Sequence, residues 1–358
     1  MLVEIARSET ISNGRSPISV EQAIDLIETK GYEGVVNLLG YVRTSGVWSG
    51  GTSRSLFHTG AYRACKDLGV NMQVQAGSSG GSIPAAYMGA GPETGMRTSP
   101  DDLEKASIEF SEALGHIIRP ANFLRVVIKE GLVNSQKLEE KLRQYTNGAV
   151  MGQLNGTYII ASDFDSDHSN KVILSRETTP QEPVWSAIRK SVSHLFLFDP
   201  VRENKGTYLD GLLEIFPLLT AFEVGRAQMA IGFLVNYRIR KEKSNFAGPR
   251  GVLKEADRGY KLLQREVIQL TMRMLTGQTV EDVARYGDPT GRVLLINPDL
   301  SQVPSYDFLR EGLKLIPRGR TETLDALANF LNPSYPHPKL YEADRFIQRL
   351  KKAVSTVP

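Results

Sequence analysis

The run Gly77-Ser78-Ser79-Gly80-Gly81 constrains this chain more than any other feature. Val70 to Ala76 before it reads as a strand, and Ile83 to Gly89 after it reads as a helix of small residues. Gly-x-Ser-x-Gly between a strand and a helix is the form of a nucleophile elbow, a tight turn that lifts a serine hydroxyl clear of the backbone. Such a turn needs small neighbours, because bulky ones collide with the folded-back chain. Here they are Gly77, Ser78, Gly80 and Gly81. The helix that follows also aims its free N–H groups at developing negative charge. The competing reading of the pentapeptide is a glycine-rich turn that binds a phosphate or nothing.

A second glycine-rich loop, Ser49-Gly50-Gly51-Thr52-Ser53-Arg54, follows a strand expected within Val42 to Trp48 and precedes a helix expected from His58 to Leu68, stopping at Gly69. Its exposed N–H groups suit either a phosphate or the oxyanion of acyl transfer. No Gly-Lys-Ser/Thr follows at the Walker spacing, and the run is not Gly-x-Gly-x-x-Gly, which weighs against a nucleotide.

A serine nucleophile needs a base. The five histidines stand at 58, 116, 168, 194 and 337. His58, one turn into a helix, and His194, among apolar residues, read as packing residues. His337 lies late enough for a Ser, Asp, His order but sits in Pro336-His337-Pro338. Asp210, in Tyr208-Leu209-Asp210-Gly211, is the more economical partner: an acid ending a short strand, beside a glycine that permits close approach.

Strand and helix patterns alternate along the chain, which favours a mainly parallel sheet covered by helices. Further helices are expected over Asp101 to Leu114, Ser135 to Tyr145, Pro183 to Ser193, residues 251–276, Pro304 to Leu315 and Glu322 to Leu331, with helical character over Phe216 to Met229. Tyr158 to Ser162, Lys171 to Leu174 and Arg292 to Ile296 read as strands, and Phe196 to Val201 and Thr207 to Asp210 as short extended pieces. Asp163, Asp165 and Asp167 alternate as at the start of a calcium loop, but His168 and Leu174 stand where that loop needs Gly and Glu. A hairpin turn is the expectation there.

The chain carries 43 basic and 40 acidic residues, a balance that does not call for nucleic acid. The single cysteine, Cys65, excludes an intrachain disulfide and reads as a packed helix residue. Met1 to Gly14 lacks the apolar core of a secretory signal, and no stretch approaches the ~18 apolar residues of a membrane span. The expected location is cytoplasmic or peripheral to a membrane, with export by a route lacking a signal peptide left open.

Three ordered motifs together resemble the patatin-like phospholipases. Gly50-Gly51-Thr52-Ser53-Arg54-Ser55 is similar to the family's Gly-Gly-Gly-x-Arg/Lys-Gly, Gly77 to Gly81 to its Gly-x-Ser-x-Gly, and Asp210-Gly211 to its Asp-Gly-Gly/Ala. Val184 to Ser191, running on to Pro200-Val201, resembles the stretch leading into the family's aspartate. The resemblance spans about Val47 to Leu331. It implies a three-layer α/β fold, a mainly parallel central sheet with helices on both faces, plus helical N- and C-terminal parts. It implies a 1–40 extension, a 41–335 hydrolase domain and a 336–358 tail. It further implies a Ser79–Asp210 dyad without histidine or cofactor, in which Ser79 attacks a lipid ester and Asp210 takes its proton. Gly50, Gly51, Thr52 and Ser53 would form the oxyanion hole, supported by Arg54, Gly77, Gly81 and Gly211. Arg54 holds either the loop or a lipid phosphate. The implied partner is membrane phospholipid or another acyl ester, with peripheral membrane contact and room for an activating protein.

Thr52 and Ser55 replace family glycines, and Asp210-Gly211-Leu212 is one residue shorter than the family's usual run to Pro217. A threonine at positive φ is costly, so the loop is expected to differ locally. These departures motivate the alternative of a weakly active or inactive lipid-binding protein. Two surfaces remain. Arg238, Arg240, Lys241, Lys243 and Arg250 read as a solvated loop before an anionic-lipid contact. Leu253, Tyr260, Leu263, Val267, Leu270 and Met274 recur at helical spacing and read as core packing before a lipid-facing surface.

Overall fold

The computed structural model describes residues 29, 42–115, 131–133, 135–167, 170–194, 196–203, 206–239, 248–286, 288, 290–304 and 307–331. Apart from Thr29, the 1–40 extension lies outside them, as do the 336–358 tail, His116, His168 and His337.

An eight-stranded sheet runs through the molecule in the order β10-β9-β1-β2-β4-β8-β7, with β5 also on β4. The strands are β1 (Thr44–Trp48), β2 (Val74–Ser78), β4 (Thr157–Asp163), β5 (Lys171–Ser175), β7 (Val201–Glu203), β8 (Gly206–Leu209), β9 (Met229–Phe233) and β10 (Val293–Ile296). The run from β10 to β4 is parallel throughout. β5, β7 and β8 pair antiparallel. A separate parallel pair joins β3 (Gly131–Val133) to β6 (Phe196–Phe198).

Strand alternation divides the core between the two sheet faces. Trp48, Ile231 and Phe233 enter one apolar cluster with α1 (Leu56–Asp67), α2 (Ser82–Gly89), α3 (Pro100–Gly115), α4 (Ser135–Thr146), α5 (Val184–Ser191) and α8 (Leu315–Leu331). Val47, Ala76 and Ala230 enter the other with α6 (Gly248–Thr276) and α7 (Val280–Tyr286). This is an α/β fold with helices on both faces of a mainly parallel sheet. The α1–α8 crossing is close enough that Cβ atoms at Gly60 or Gly319 would meet opposing backbone at 1.9 and 2.1 Å. Cys65 is buried in α1, where burial pushes its thiol up to about 12, as a packing residue's would be. The acidic segment after β4 is a hairpin connection: β4 and β5 pair antiparallel, and Asp163 Oδ1 accepts from the Asp165 amide at 3.0 Å.

Three expectations need correction. The second strand begins at Val74, because the Val70 amide closes the end of α1 on the Cys65 carbonyl at 2.9 Å. The helical character expected over Phe216 to Met229 is confined to residues 218–224, ending in a π turn at Thr220–Val224, and Met229 already belongs to β9, between β10 and β1. The α6 stripe is not core: Leu263, Leu270 and Met274 are 55%, 59% and 73% exposed. The helix instead buries the adjacent face carrying Gln264, Ile268 and Met272. Leu253's side chain lies outside the described residues, as do Arg240, Lys241, Lys243 and the side chain of Arg250. Arg238 is exposed and pairs with Asp299 at 3.0 Å.

Candidate active site

The site forms where parallel strands end. Trp48 pairs with Gly77 and Ser78 with Ile160, so the loops leaving β1 and β2 emerge side by side. β8 brings its own end alongside, Leu209 opposite Ser162 on β4. Ser79 and Asp210 therefore approach from opposite sides of β4. Crevices beyond the carboxyl ends of parallel strands are the usual ligand sites of open α/β sheets.

Ser79 sits at φ +51, in the left-handed region that a non-glycine residue enters at a cost of about 1–3 kcal/mol. Its surroundings impose that geometry. The Ser79 amide donates to Ser191 Oγ at 2.8 Å, and Ser191 Oγ donates on to the Ile160 carbonyl at 2.5 Å. Ser82 Oγ donates to the Ser79 carbonyl at 2.6 Å. A Cβ at Gly81 would meet the Trp48 carbonyl oxygen at 2.2 Å, and one at Gly77 the Gly81 carbonyl oxygen at 2.4 Å. Both glycines are steric requirements of the turn.

Asp210 is buried, with its amide donating to the Ser193 carbonyl at 3.0 Å. A Cβ at Gly211 would lie 2.1 Å from Ser78 Oγ and 2.6 Å from the Ile160 carbonyl oxygen, so the glycine brings the aspartate turn against the elbow. Ser78 Oγ fastens the two by donating to the Gly211 carbonyl at 3.0 Å. Burial raises the Asp210 carboxyl above its ordinary range, against the opposing pull of His194, the Ser79 side chain, the Gly211 backbone and Tyr260. Oδ2 accepts from Tyr260 Oη at 3.4 Å, while the buried Oδ1 carries no full hydrogen bond. The Ser79–Asp210 contact is thus looser than a formed bond, as is common before substrate binds.

The glycine-rich loop leads into a 3-10 turn at Thr52–Ser55. Contrary to expectation, Thr52 keeps the left-handed backbone, at φ +48. Local bonds hold it there: Thr52 Oγ1 donates to the Gly51 carbonyl at 2.8 Å, and Ser55 Oγ donates to the Thr52 carbonyl. Gly50 donates its N–H to the Ile215 carbonyl at 2.9 Å, which removes it as an oxyanion donor in this arrangement. Thr52 and Ser53 open the 3-10 turn, where N–H groups lack intraturn partners, and Gly51 adjoins them. Ser53 Oγ anchors the loop on the Pro304 carbonyl at 2.8 Å. Arg54 is buried and donates to the Val303 and Arg238 carbonyls, both at 3.1 Å, so it holds the loop.

His58 braces the same loop from below. Its Nε2 donates to the Ser49 carbonyl at 2.8 Å, and burial lowers its pKa from 6.5 to about 4 against that bond. The unfolded chain therefore binds a proton at pH values where the native state does not. This contribution to stability is complete above pH 6.5 and falls as pH drops towards 4. The full shift corresponds to about 3 kcal/mol. The His58→Gln variant is expected to lose that much less stability than wild type over this window, as read by urea unfolding at each pH. Parallel pH curves would show that His58 does not set the window.

A cavity partly open to solvent lies against Ser79, Gly80, Thr52 and Ser55. It runs between α2, α3 and α4, past apolar side chains such as Leu103, Phe110 and Leu142. His194 also lines it and meets the Tyr260 ring edge-on at 5.1 Å between centroids. Sequence reasoning missed Ser191, His194 and Tyr260 at this site. Ser191 alone carried a signal, at the end of the stretch leading towards Asp210. Among the described residues no three His, Cys, Asp or Glu side chains converge as metal ligands would.

The site thus sets a strained serine on a strand–turn–helix elbow and a buried carboxylate at the mouth of an apolar cavity in an α/β fold. Residues 46–221 match the family model for patatin-like phospholipase. The matched segment contains the glycine-rich loop, Ser79 and Asp210, and ends before Tyr260. The chain is also similar to VipD from Legionella pneumophila, at 13% identity and a TM-score of 0.40 over 80% of this chain and 67% of that one. It is similar to the type III effector protein ExoU at 12% identity and a TM-score of 0.33, covering 80% of this chain and 53%, about half, of the other. No curated protein matches the chain.

Proposed function

We propose that the chain is a phospholipase A-type acyl hydrolase working through a Ser79–Asp210 dyad. The observation that carries this reading is the facing pair itself: a strained serine against a buried carboxylate with an unpaired oxygen, where the apolar cavity opens. Ser79 Oγ bonds to the ester carbonyl carbon as its proton passes to Asp210. The amides of Gly51, Thr52 and Ser53 hold the resulting oxyanion, an arrangement in which one donor is worth about 3 kcal/mol. Collapse breaks the ester C–O bond, and the leaving alcohol takes the proton from Asp210. Water then attacks the acyl-serine, giving its proton to Asp210, and Ser79 recovers a proton as the fatty acid leaves.

The cavity supports a long acyl chain as the group transferred. Exposed Leu262, Leu263, Leu270 and Met274 on α6 support peripheral contact with the lipid surface that supplies it. No helix among the described residues is long and apolar enough to cross a membrane. The Gly50 amide committed to Ile215 and the strained Thr52 favour, as a second reading, a lipid-binding member with little catalysis.

Lipid mass spectrometry of a mixed membrane extract, paired with fluorophosphonate labelling, separates the two. Wild type is expected to release fatty acid and lysophospholipid and to label at Ser79. A folded wild type that neither labels nor releases acyl product would leave the binding reading standing.

A further inference from the structure

The dyad does not stand alone. Asp210 is reached from outside the family-matched segment by Tyr260, on the long helix α6. Its phenol lies 3.4 Å from Asp210 Oδ2, while Oδ1 is buried without a hydrogen bond. Its ring meets His194 edge-on, and His194 lines the cavity beside Ser79. The two carboxylate oxygens are therefore inequivalent. One is in contact with α6 through Tyr260, and the other has no hydrogen bond.

We propose that Tyr260 is a positioning residue for Asp210, holding Oδ2 so that Oδ1 faces the Ser79 hydroxyl. This inference rests on the acyl-hydrolase reading above. Its physical content is twofold. A carboxylate with one oxygen held cannot rotate to present both oxygens equally, so the proton acceptor keeps one geometry. A phenol donating to a buried carboxylate also stabilises its charged form, opposing the desolvation that favours the protonated acid.

The ionisable and polar groups facing Asp210 come from four places: Ser79 on the elbow, His194 after α5, Tyr260 on α6 and the Gly211 amide in its own turn. Glu214, the next charged group along that turn, pairs with Lys171 on β5 at 3.2 Å. Tyr260 is thus the neutral donor that a conservative substitution can remove. Tyr260→Phe keeps the ring against His194 and deletes only the hydroxyl.

The sign is fixed. Losing a donor to the carboxylate raises the Asp210 pKa further, so the acid limb of activity moves to higher pH. One charge-assisted hydrogen bond shifts such a limb by about one pH unit. The test measures the rate of fluorophosphonate labelling, and kcat and KM on a soluble short-chain ester, from pH 5 to 9 for wild type, Tyr260→Phe and Tyr260→Leu. The expected result is a limb displaced upward by about one unit in both variants. At the acid end kcat should fall about tenfold with KM unchanged, and rates should converge with wild type in alkali. Coincident limbs for wild type and Tyr260→Phe would overturn the proposal. So would a loss confined to Tyr260→Leu, which would make the ring a packing element. If wild type neither labels nor turns over ester, the acyl-hydrolase reading fails and this inference with it. A reactive wild type with an unmoved Phe variant overturns this inference alone.

Discussion

Asp210→Asn is expected to abolish acyl release while leaving the protein as stable as wild type or more so. Asparagine keeps the shape of the side chain and removes its capacity to take a proton. Loss of the acid partner in a comparable dyad or triad costs about 10⁴-fold in kcat, and loss of the nucleophile in Ser79→Ala about 10⁶-fold. The stability half of the expectation follows from burial. Asp210 Oδ1 lies in the interior without a hydrogen bond, and desolvation raises the carboxyl pKa, so the charged form is held against its own preference. A neutral amide removes that cost. Activity falling while the melting temperature holds or rises marks a group kept for chemistry. The same desolvation predicts that wild-type activity declines in acid at a pH above the ordinary carboxylate range, since the base works only when ionised. Acyl release by Asp210→Asn at the wild-type rate would sink the dyad assignment.

The second large effect is expected at Gly81, which touches no substrate. A methyl group there would lie 2.2 Å from the Trp48 carbonyl oxygen, 2.5 Å from its carbon and 2.7 Å from the Ser49 carbonyl oxygen. All three are backbone atoms at the end of a central strand, paired on both sides and unable to turn aside. Gly81→Ala must push the elbow away from the glycine-rich loop. Overpacking of this kind costs about 1–3 kcal/mol. A displacement of about 1 Å between nucleophile and oxyanion donors costs on the order of a hundredfold in rate. Thermal unfolding and kcat of the purified variant check both halves. A variant with wild-type values would mean that the elbow and the loop are not braced against each other.

The legible part of this molecule was the part encoded locally. Strand, small-residue turn and helix around Ser79 are contiguous, and so are the loop at Gly50 to Arg54 and the helix after it. Asp210 could be singled out because a glycine follows it at a strand end. β9 was missed because Met229 to Phe233 is a short apolar run that follows another apolar stretch, and periodicity does not separate a buried strand from a buried helix at that length. The α6 stripe misled for a related reason. The spacing of Leu263, Leu270 and Met274 describes a face without saying which way it points, and the helix buries a neighbouring face with Gln264 and Thr271 in it. Tyr260 and His194 were beyond reach, because the two rings stand 66 positions apart in the chain and only the tertiary fold brings them to 5.1 Å. Thr52 shows the opposite error. The propensity argument was sound, but two local hydrogen bonds hold a conformation that the side chain alone disfavours.

Ser55 carries one last consequence. Its Oγ occupies the space that a side chain on Gly80 would need, 2.2 Å from where that Cβ would stand. The two positions, one in each motif, therefore share a single small volume. Whatever residue 55 takes, residue 80 must give up. A change at either should be read only together with the other, as a non-additive pair rather than as two independent departures from a pattern. The serine standing where the resembled motif has glycine does not mark a loosened loop; it is one half of a fitted joint whose other half lies next to Ser79.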